Sequence, residues 1–368
     1  EPKSIDPHNP YAMNVKQETL FEKALNLLKE LIATPSFSSE EDKTADTIEA
    51  WLQSFGVTTQ RQDNNVYAFN KHYEESKPTL LLNSHHDTVR PNTAYTKDPF
   101  HAHVEDGKLF GLGSNDAGGC LVSLLATFVH FYERLDLNHN IIMAATAEEE
   151  SAGEKSLRGL LPILPKIDVA VVGAPTLMDL AIAEKGLIVF DAKVSGTPSH
   201  AAHPNDNNSI YNTISVLDWF QKFRFEKVSE VLGEVKMTVT QLNAGKQHNV
   251  VPAHVDMVVD VRVNDCYSNT EVSELLQQEA PCEMTPRSLR LNSSAIDANH
   301  HLVKSGLQLG RKTYGSPTLS DQAALSCQSV KLGPGDSTRS HSADEFIYVH
   351  EIVAGIDLYI KILEGFLQ

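Results

Sequence analysis

The sequence predicts an α/β protein: a mixed sheet with helices on both faces, interrupted by a smaller α+β domain. Two changes of pattern carry that reading. Short apolar runs alternate with longer helical patterns up to about Gly186, strands then outnumber helices, and the helical alternation resumes near the C-terminus. The larger domain is accordingly assigned residues 1–186 and 294–368, and the insert residues 187–293.

Taken in order, Leu20, Ala24, Leu27, Leu28 and Leu31 fall at helical spacing in ETLFEKALNLLKELIATPS. SSEEDKTADTIEAWLQSFG predicts a second amphipathic helix that stops at Gly56. The run TLLLNSHHD reads as a strand, GGCLVSLLATFVHFYERL as a helix, NIIMAATA as a strand, EKSLRGLLPIL as a helix and DVAVVGAP as a strand. In the insert, LIVFDAKVSG, EVKMTVTQLNAG and HVDMVVDVRV are strands, with helices near SIYNTISVLDWFQKF and EVSELLQQEA. Two strands to each helix leave one sheet face exposed. After HHLVKSGLQLGRK and VKLGPG, a final helix is expected through DEFIYVHEIVAGIDLYIKILEGF. There is no internal repeat and no low-complexity tract.

Composition narrows the function classes. A chain of 368 residues, 41% hydrophobic and 21% charged, has room for roughly two domains and a sizeable core. No apolar run reaches the length of a membrane-spanning helix, so a soluble protein is expected. A formal charge of −17 repels phosphate backbones and anionic membranes, which argues against nucleic acid or membrane partners. The four cysteines form no CxxC pair and no disulfide framework, which fits a reducing, cytoplasmic setting. No secretory pattern marks the N-terminus, and EPKSIDPHNPYAM reads as a leader foreign to a natural chain starting at Met13.

Chemistry-bearing residues gather where apolar strands end. In SHHDTV, strand alternation points His85 and Asp87 the same way and His86 the opposite way. An imidazole and a carboxylate on one side suit a metal ligand and the acid that orients it, and equally a capped strand-end histidine. GLGSNDAGG sets Asp116 among turn-forming glycines before a helix. It lacks the lysine of a phosphate loop, so Asp116 is either a ligand at the mouth of the sheet or a helix cap. TAEEES places Glu148, Glu149 and Glu150 after another apolar strand, either as solvated surface or as a metal ligand beside a general base. His341 stands in the loop GPGDSTRSHSADE. His85, Asp116, Glu150 and His341 together supply the nitrogen and oxygen donors that zinc or a related divalent ion accepts.

The series SHHDTV, GLGSNDAGG, TAEEES, VVGAPT, SHAAHP, HNVVPA, DVRV and SHSADE resembles the M20 metallopeptidase family across nearly the whole chain. The resemblance implies a zinc-peptidase-like fold with an inserted dimerisation or lid domain, two zinc or cobalt ions, and a homodimer. It implies that His85 binds one ion, Asp116 bridges the two, Glu150 and His341 complete the ligands of the second ion, Asp87 orients His85, and Glu149 is the general base. His200 would stabilise the oxyanion, often in the partner subunit's site, while Asn249 and Arg262 would hold substrate. Taken on their own, Asn249 reads equally as a turn residue and Arg262 as one half of a strand-face ion pair.

One position departs from the pattern: where the family reads Gly-Glu-Pro-Thr, this chain has Ala174, and a methyl group cannot coordinate. Either the chain is disabled, or it works with one firmly held ion, or it has lost hydrolysis. The implied activity is removal of an N-acyl group from a small N-acyl amino acid, as in acetylornithine or acetylcitrulline deacetylation within arginine biosynthesis. Alternatives are a desuccinylase, a dipeptidase or carboxypeptidase, a zinc aminopeptidase, and a catalytically impaired binding protein on the same fold.

Overall fold

A computed structural model describes residues 15–368, and the leader-like segment ending at Met13 lies outside the described residues. The chain divides into two compact units, one reaching Leu180 and taking in Asn299–Lys312 and Lys331–Gln368, the other comprising Ala181–Ala298 and Thr313–Val330.

The first unit begins with α1 (Val15–Ala33), α2 (Asp42–Gln53), β1 (Thr59–Gln62), β2 (Asn65–Phe69) and β3 (Thr79–His85). It continues with β4 (His103–Glu105), β5 (Lys108–Phe110), α3 (Gly119–Phe131), β6 (Asn140–Thr146), the single turn α4 (Leu157–Leu160) and β7 (Val169–Val172). The second unit is entered through β8 (Leu180–Glu184) and holds β9 (Gly186–Ser195), β10 (Ser199–His200), α5 (Ser209–Lys222), β11 (Lys236–Ala244) and β12 (Val250–Val251). There follow β13 (His254–Val263), α6 (Asn269–Glu279), β14 (Glu283–Pro286) and β15 (Ser294–Ala295). After α7 (His301–Gln308) come β16 (Thr313–Ser316), β17 (Gln328–Lys331), β18 (Phe346–Tyr348) and α8 (Val349–Leu367).

In the first unit the sheet runs β1-β2-β6-β3-β7. β3 is parallel to both β6 and β7, whereas β2 is antiparallel to β6 and to β1, so the sheet is mixed. β3 and β6 are buried along their whole length, which is why they read as unbroken apolar runs rather than as alternations. α3 packs on β3 and β6, α8 packs on α3, and α2 packs against β1 and β2. The one amide inside β3, Asn83, donates to the Ala144 carbonyl at 3.0 Å and to Thr146 Oγ1 at 2.9 Å.

In the second unit β9 and β13 alternate buried and more exposed residues, as a sheet with one covered face must. Its strands run β11-β13-β9-β14, all antiparallel. Ile188, Phe190 and Val259 meet Val216 and Phe220 of α5 and Val272 and Leu276 of α6 in its core.

Two predicted helices differ from what forms. EKSLRGLLPIL yields only the turn α4 and a 3-10 turn Leu161–Ile163, because Pro162 has no N–H with which to extend the ladder. The final helix starts at Val349 rather than near Asp344, because Phe346–Tyr348 instead pairs with β5, with Ile347 opposite Leu109.

Leu81 is fully buried in β3 between two parallel neighbours. Leu81→Ala is expected to lower the unfolding free energy by about 2–5 kcal/mol with an unchanged denaturant slope. Urea unfolding followed by circular dichroism checks it, and a loss below about 1 kcal/mol would show that this strand is not the centre of the core.

Candidate active site

Parallel pairing of β3 and β6 sets His85 opposite Thr146, so both strands release their chains at the same edge. At that edge Asp87 is wholly buried. Its Oδ1 accepts the backbone N–H of Glu149 at 3.1 Å, and its Oδ2 accepts that of Glu150 at 3.2 Å and the Ser38 hydroxyl at 2.6 Å. His85 Nδ1 lies 2.9 Å from the Asp87 carbonyl oxygen and 3.3 Å from its Oδ1. The proton of the neutral ring is therefore held on Nδ1, and the Nε2 lone pair faces Asp116 Oδ1 at 3.4 Å and Glu149 Oε2 at 3.7 Å. The HxD triplet works as the alternation predicts: His86 turns the other way, with Nε2 2.8 Å from the Asn64 carbonyl and Nδ1 2.8 Å from Thr44 Oγ1.

Asp116 is presented by a loop rather than by a helix. α3 begins at Gly119 with no side-chain cap, so Asp116 does not act as a helix cap. Gly113 opens the loop at φ 77°, and a Cβ there would stand 2.6 Å from Thr88 Cγ2, so only glycine fits. Glu345, almost completely buried, accepts the backbone N–H groups of Gly113 at 2.9 Å, Asn115 at 3.1 Å and Asp116 at 2.8 Å. Asn115 adds a two-way clamp, donating to the Asp336 carbonyl at 2.9 Å and accepting its N–H at 3.1 Å.

The acidic triplet divides. Glu148 has φ 54° and turns back into the protein, accepting from Ser39 Oγ and from Lys155 N–H, both at 3.0 Å. Glu149 lies on the His85 side. Glu150 places both carboxylate oxygens 3.0 Å from His341 Nε2, and Asp116 Oδ2 is 3.5 Å from the same nitrogen.

One donor atom each from His85, Asp116 and Glu150 lies within 4.8 Å of the others, and His341 adds a fourth donor against Asp116 and Glu150. Imidazole nitrogens and carboxylate oxygens at this spacing fit a zinc-like divalent ion. The charges answer one another. Burial pulls the His85 pKa down, but Glu149, Asp116 and Asp87 outweigh it and raise it well above the ordinary imidazole value. The hydrogen bond that the His341 ring gives to the Glu150 carboxylate lifts its pKa to about 9. Burial raises Asp116, yet the two histidines carry it below the usual carboxylate range.

Ala174 follows β7 at this edge and brings no donor. Glu184, the next carboxylate in that part of the sequence, is fully buried and accepts from Ser320 and from Gln322 Nε2 at 2.8 Å. In the second unit, His200 is exposed and pairs with Val250, while the Asn249 carbonyl accepts the Ala201 N–H at 2.9 Å, so His200 and Asn249 are neighbours. Arg262 lies at the far end of β13, opposite Leu187, whereas His254 at the near end pairs with Ser195. Eight residues of strand separate those ends by roughly 27 Å. The Arg262 guanidinium forks onto Asp260 at 2.8 and 3.1 Å, a strand-face ion pair.

The sequence reading missed the supporting acids Glu345 and Glu41. Glu41 accepts the Ser39 and Glu148 N–H groups, both at 3.0 Å. Glu345 stands inside the quoted SHSADE, but nothing in its spacing distinguishes a buried acid from a solvated one.

Fold and donor set define a hydrolase of the metallopeptidase class. The chain belongs to peptidase family M20/M25/M40, whose profile matches residues 81–365. It is 27% identical over 387 residues to an acetylornithine deacetylase of Proteus mirabilis (strain HI4320), covering 96% of this chain and 98% of that one. It is 25% identical over 374 residues to a succinyl-diaminopimelate desuccinylase of Rickettsia bellii (strain OSU 85-389), covering 91% and 95%. Its fold matches that of YXEP of Bacillus subtilis, a dinuclear metal-binding peptidase of the M20 family, with TM-score 0.72 at 16% identity over 95% of this chain and 100% of that one. Among the described residues no helix is long and apolar enough to cross a membrane.

Burial drives the His86 pKa down from 6.5 to about 4. The unfolded chain therefore takes up this proton more readily than the folded one. The stabilisation is complete above pH ~6.5 and lost as pH falls through ~4, a change of about 3 kcal/mol. Urea unfolding from pH 7 to 4 should show the native chain losing stability more steeply than His86→Gln, and parallel profiles would exclude His86 as the titrating group.

Proposed function

We propose that this chain hydrolyses the amide of a small N-acyl amino acid, with acetylornithine or acetylcitrulline ahead of succinylated substrates. The observation that carries the reading is the division of labour between adjacent glutamates: Glu150 is engaged with His341, while Glu149 Oε2 stands 3.7 Å from His85 Nε2 on the other side of Asp116. The deacetylase and desuccinylase relatives support an acyl amino acid as substrate, and arginine biosynthesis is the setting that a deacetylase of this kind serves.

His85, Asp116, Glu150 and His341 would hold zinc or cobalt, which when bound polarises a carbonyl and acidifies water. Asp87 fixes the His85 ring through Nδ1 and, through its bonds to the N–H groups of Glu149 and Glu150, fixes the backbone that carries both acids. Glu149 takes the proton from the attacking water at Oε2 and delivers it to the leaving nitrogen, which departs as a free amine. We assign His200, exposed in the second unit, to the developing oxyanion, and a homodimer as the working form. Asn249 is assigned to the substrate backbone. At Arg262 a substrate carboxylate would have to displace Asp260. A succinyl substrate asks for a further cationic contact, so a substrate panel discriminates.

Turnover of N-acetyl-L-ornithine, N-acetylcitrulline, N-succinyl-diaminopimelate and dipeptides in excess zinc or cobalt tests the reading. Release of free amino acid from an acetylated substrate is expected. Cleavage of dipeptides alone would replace the deacylase reading, and tight binding of acyl amino acids without turnover would favour the binding protein that Ala174 suggests.

Glu149→Gln removes the base but keeps the donors. It is expected to cut kcat by about a hundredfold or more while zinc content stays unchanged. Full activity in this variant would exclude Glu149 from proton transfer.

A further inference from the structure

Strand register carries the chain beyond β7 toward the His85 end of β3. In the β3–β7 pair Leu80 stands opposite Val169 and Asn83 opposite Val172. Two hydrogen bonds extend the pairing beyond the end of β7: Gly173 N–H donates to the Asn83 carbonyl at 2.6 Å, and Ser84 Oγ donates to the Gly173 carbonyl at 2.8 Å. Continued one step further, that register would bring Ala174 alongside His85. A carboxylate at that point would lie alongside the imidazole. A methyl group offers no donor.

The remaining donors are unequally shared. Asp116 turns Oδ1 to His85 at 3.4 Å and Oδ2 to His341 at 3.5 Å. On the His341 side Asp116, Glu150 and His341 converge. On the His85 side Glu149 Oε2 stands 3.7 Å from His85 Nε2, and the mechanism above needs that oxygen as a base. A catalytic zinc takes three protein ligands and keeps one position open. Asp116, Glu150 and His341 reach that number without consuming the base, and His341 Nε2 lies 3.0 Å from Glu150 and 3.5 Å from Asp116.

We infer that this chain holds one divalent ion tightly, on Asp116, Glu150 and His341, and that the side chain at position 174 sets that number. The inference rests on the metallohydrolase reading. It leaves His85, its ring pinned by Asp87, as one half of a weak second position. The competing arrangement is a single ion drawn toward His85, because donor atoms of His85, Asp116 and Glu150 also lie within 4.8 Å of one another.

Metal counting separates these arrangements. The full chain is stripped with chelator, loaded with excess zinc, dialysed against metal-free buffer and measured by mass spectrometry of the metal, with calorimetric titration of zinc alongside. About one ion per chain is expected for the unaltered protein and about two for Ala174→Glu. His85→Ala should still retain about one ion, and His341→Ala should lose it. Circular dichroism reports whether each variant folds, and Ala174→Asp repeats the test if Ala174→Glu does not. Two tightly held ions in the unaltered chain overturn the inference, as does a folded Ala174→Glu that holds only one. Loss of the ion in His85→Ala overturns its placement. Retention of no zinc overturns this inference and the metallohydrolase reading together. One retained ion with no acyl substrate turned over removes the proposed substrate and leaves the inference standing.

Discussion

A carboxylate taken wholly out of water must be surrounded by donors or give up its charge, and Asp87 is wholly out of water. The donors it collects are the Ser38 hydroxyl, the N–H groups of Glu149 and Glu150, and the His85 ring. Each belongs to a different part of the site. One buried acid therefore fixes the tautomer of the His85 imidazole and the path of the backbone that carries Glu149 and Glu150. It acts at this place because β3 and β6 are parallel and in register, ending together at His85 and Thr146.

The same physics recurs one layer out. Glu345 accepts three backbone N–H groups from the Asp116 loop, and Glu41 accepts those of Ser39 and Glu148. Burial and the charge of Asp116 push Glu345 up to about 8, against the pull of its three N–H donors. Loops that carry ligands cannot bond to themselves as helices do, so buried acids satisfy their N–H groups and hold them in one conformation. The apolar strands supply the address, and these acids supply the rigidity.

This layering explains what was legible in the sequence. β3, β6 and β7 declared themselves because strands buried on both faces are unbroken apolar runs, and the residues singled out just past β3 and β6 lie at one edge of the sheet. The antiparallel pair β1 and β2, short and partly polar, gave no such signal. Phe346–Tyr348 was absorbed into a helix because its pairing with β5 lies more than two hundred residues away in the chain. Among the acids, alternation separated His85 and Asp87 from His86, but nothing local distinguished Glu148, turned inward at φ 54°, from Glu149 and Glu150. Glu345 and Glu41 stayed hidden because their partners are backbone groups, which leave no mark in a sequence.

Charge balance favours a cation at this edge of the sheet. Asp87, Asp116, Glu149 and Glu150 crowd around two imidazoles, and with protein groups alone the compensation falls to protons on those rings. Both imidazoles are accordingly raised, His341 to about 9 and His85 well above its ordinary value. A proton on Nε2 occupies the direction in which that nitrogen must donate its lone pair to an ion, so cation and proton compete for the same place. A divalent ion on Asp116, Glu150 and His341 would bring positive charge to these carboxylates and hold the His341 ring in its neutral, ligating form. In the proposed reaction Glu149, 3.7 Å from His85, would then move the proton between water and the departing amine.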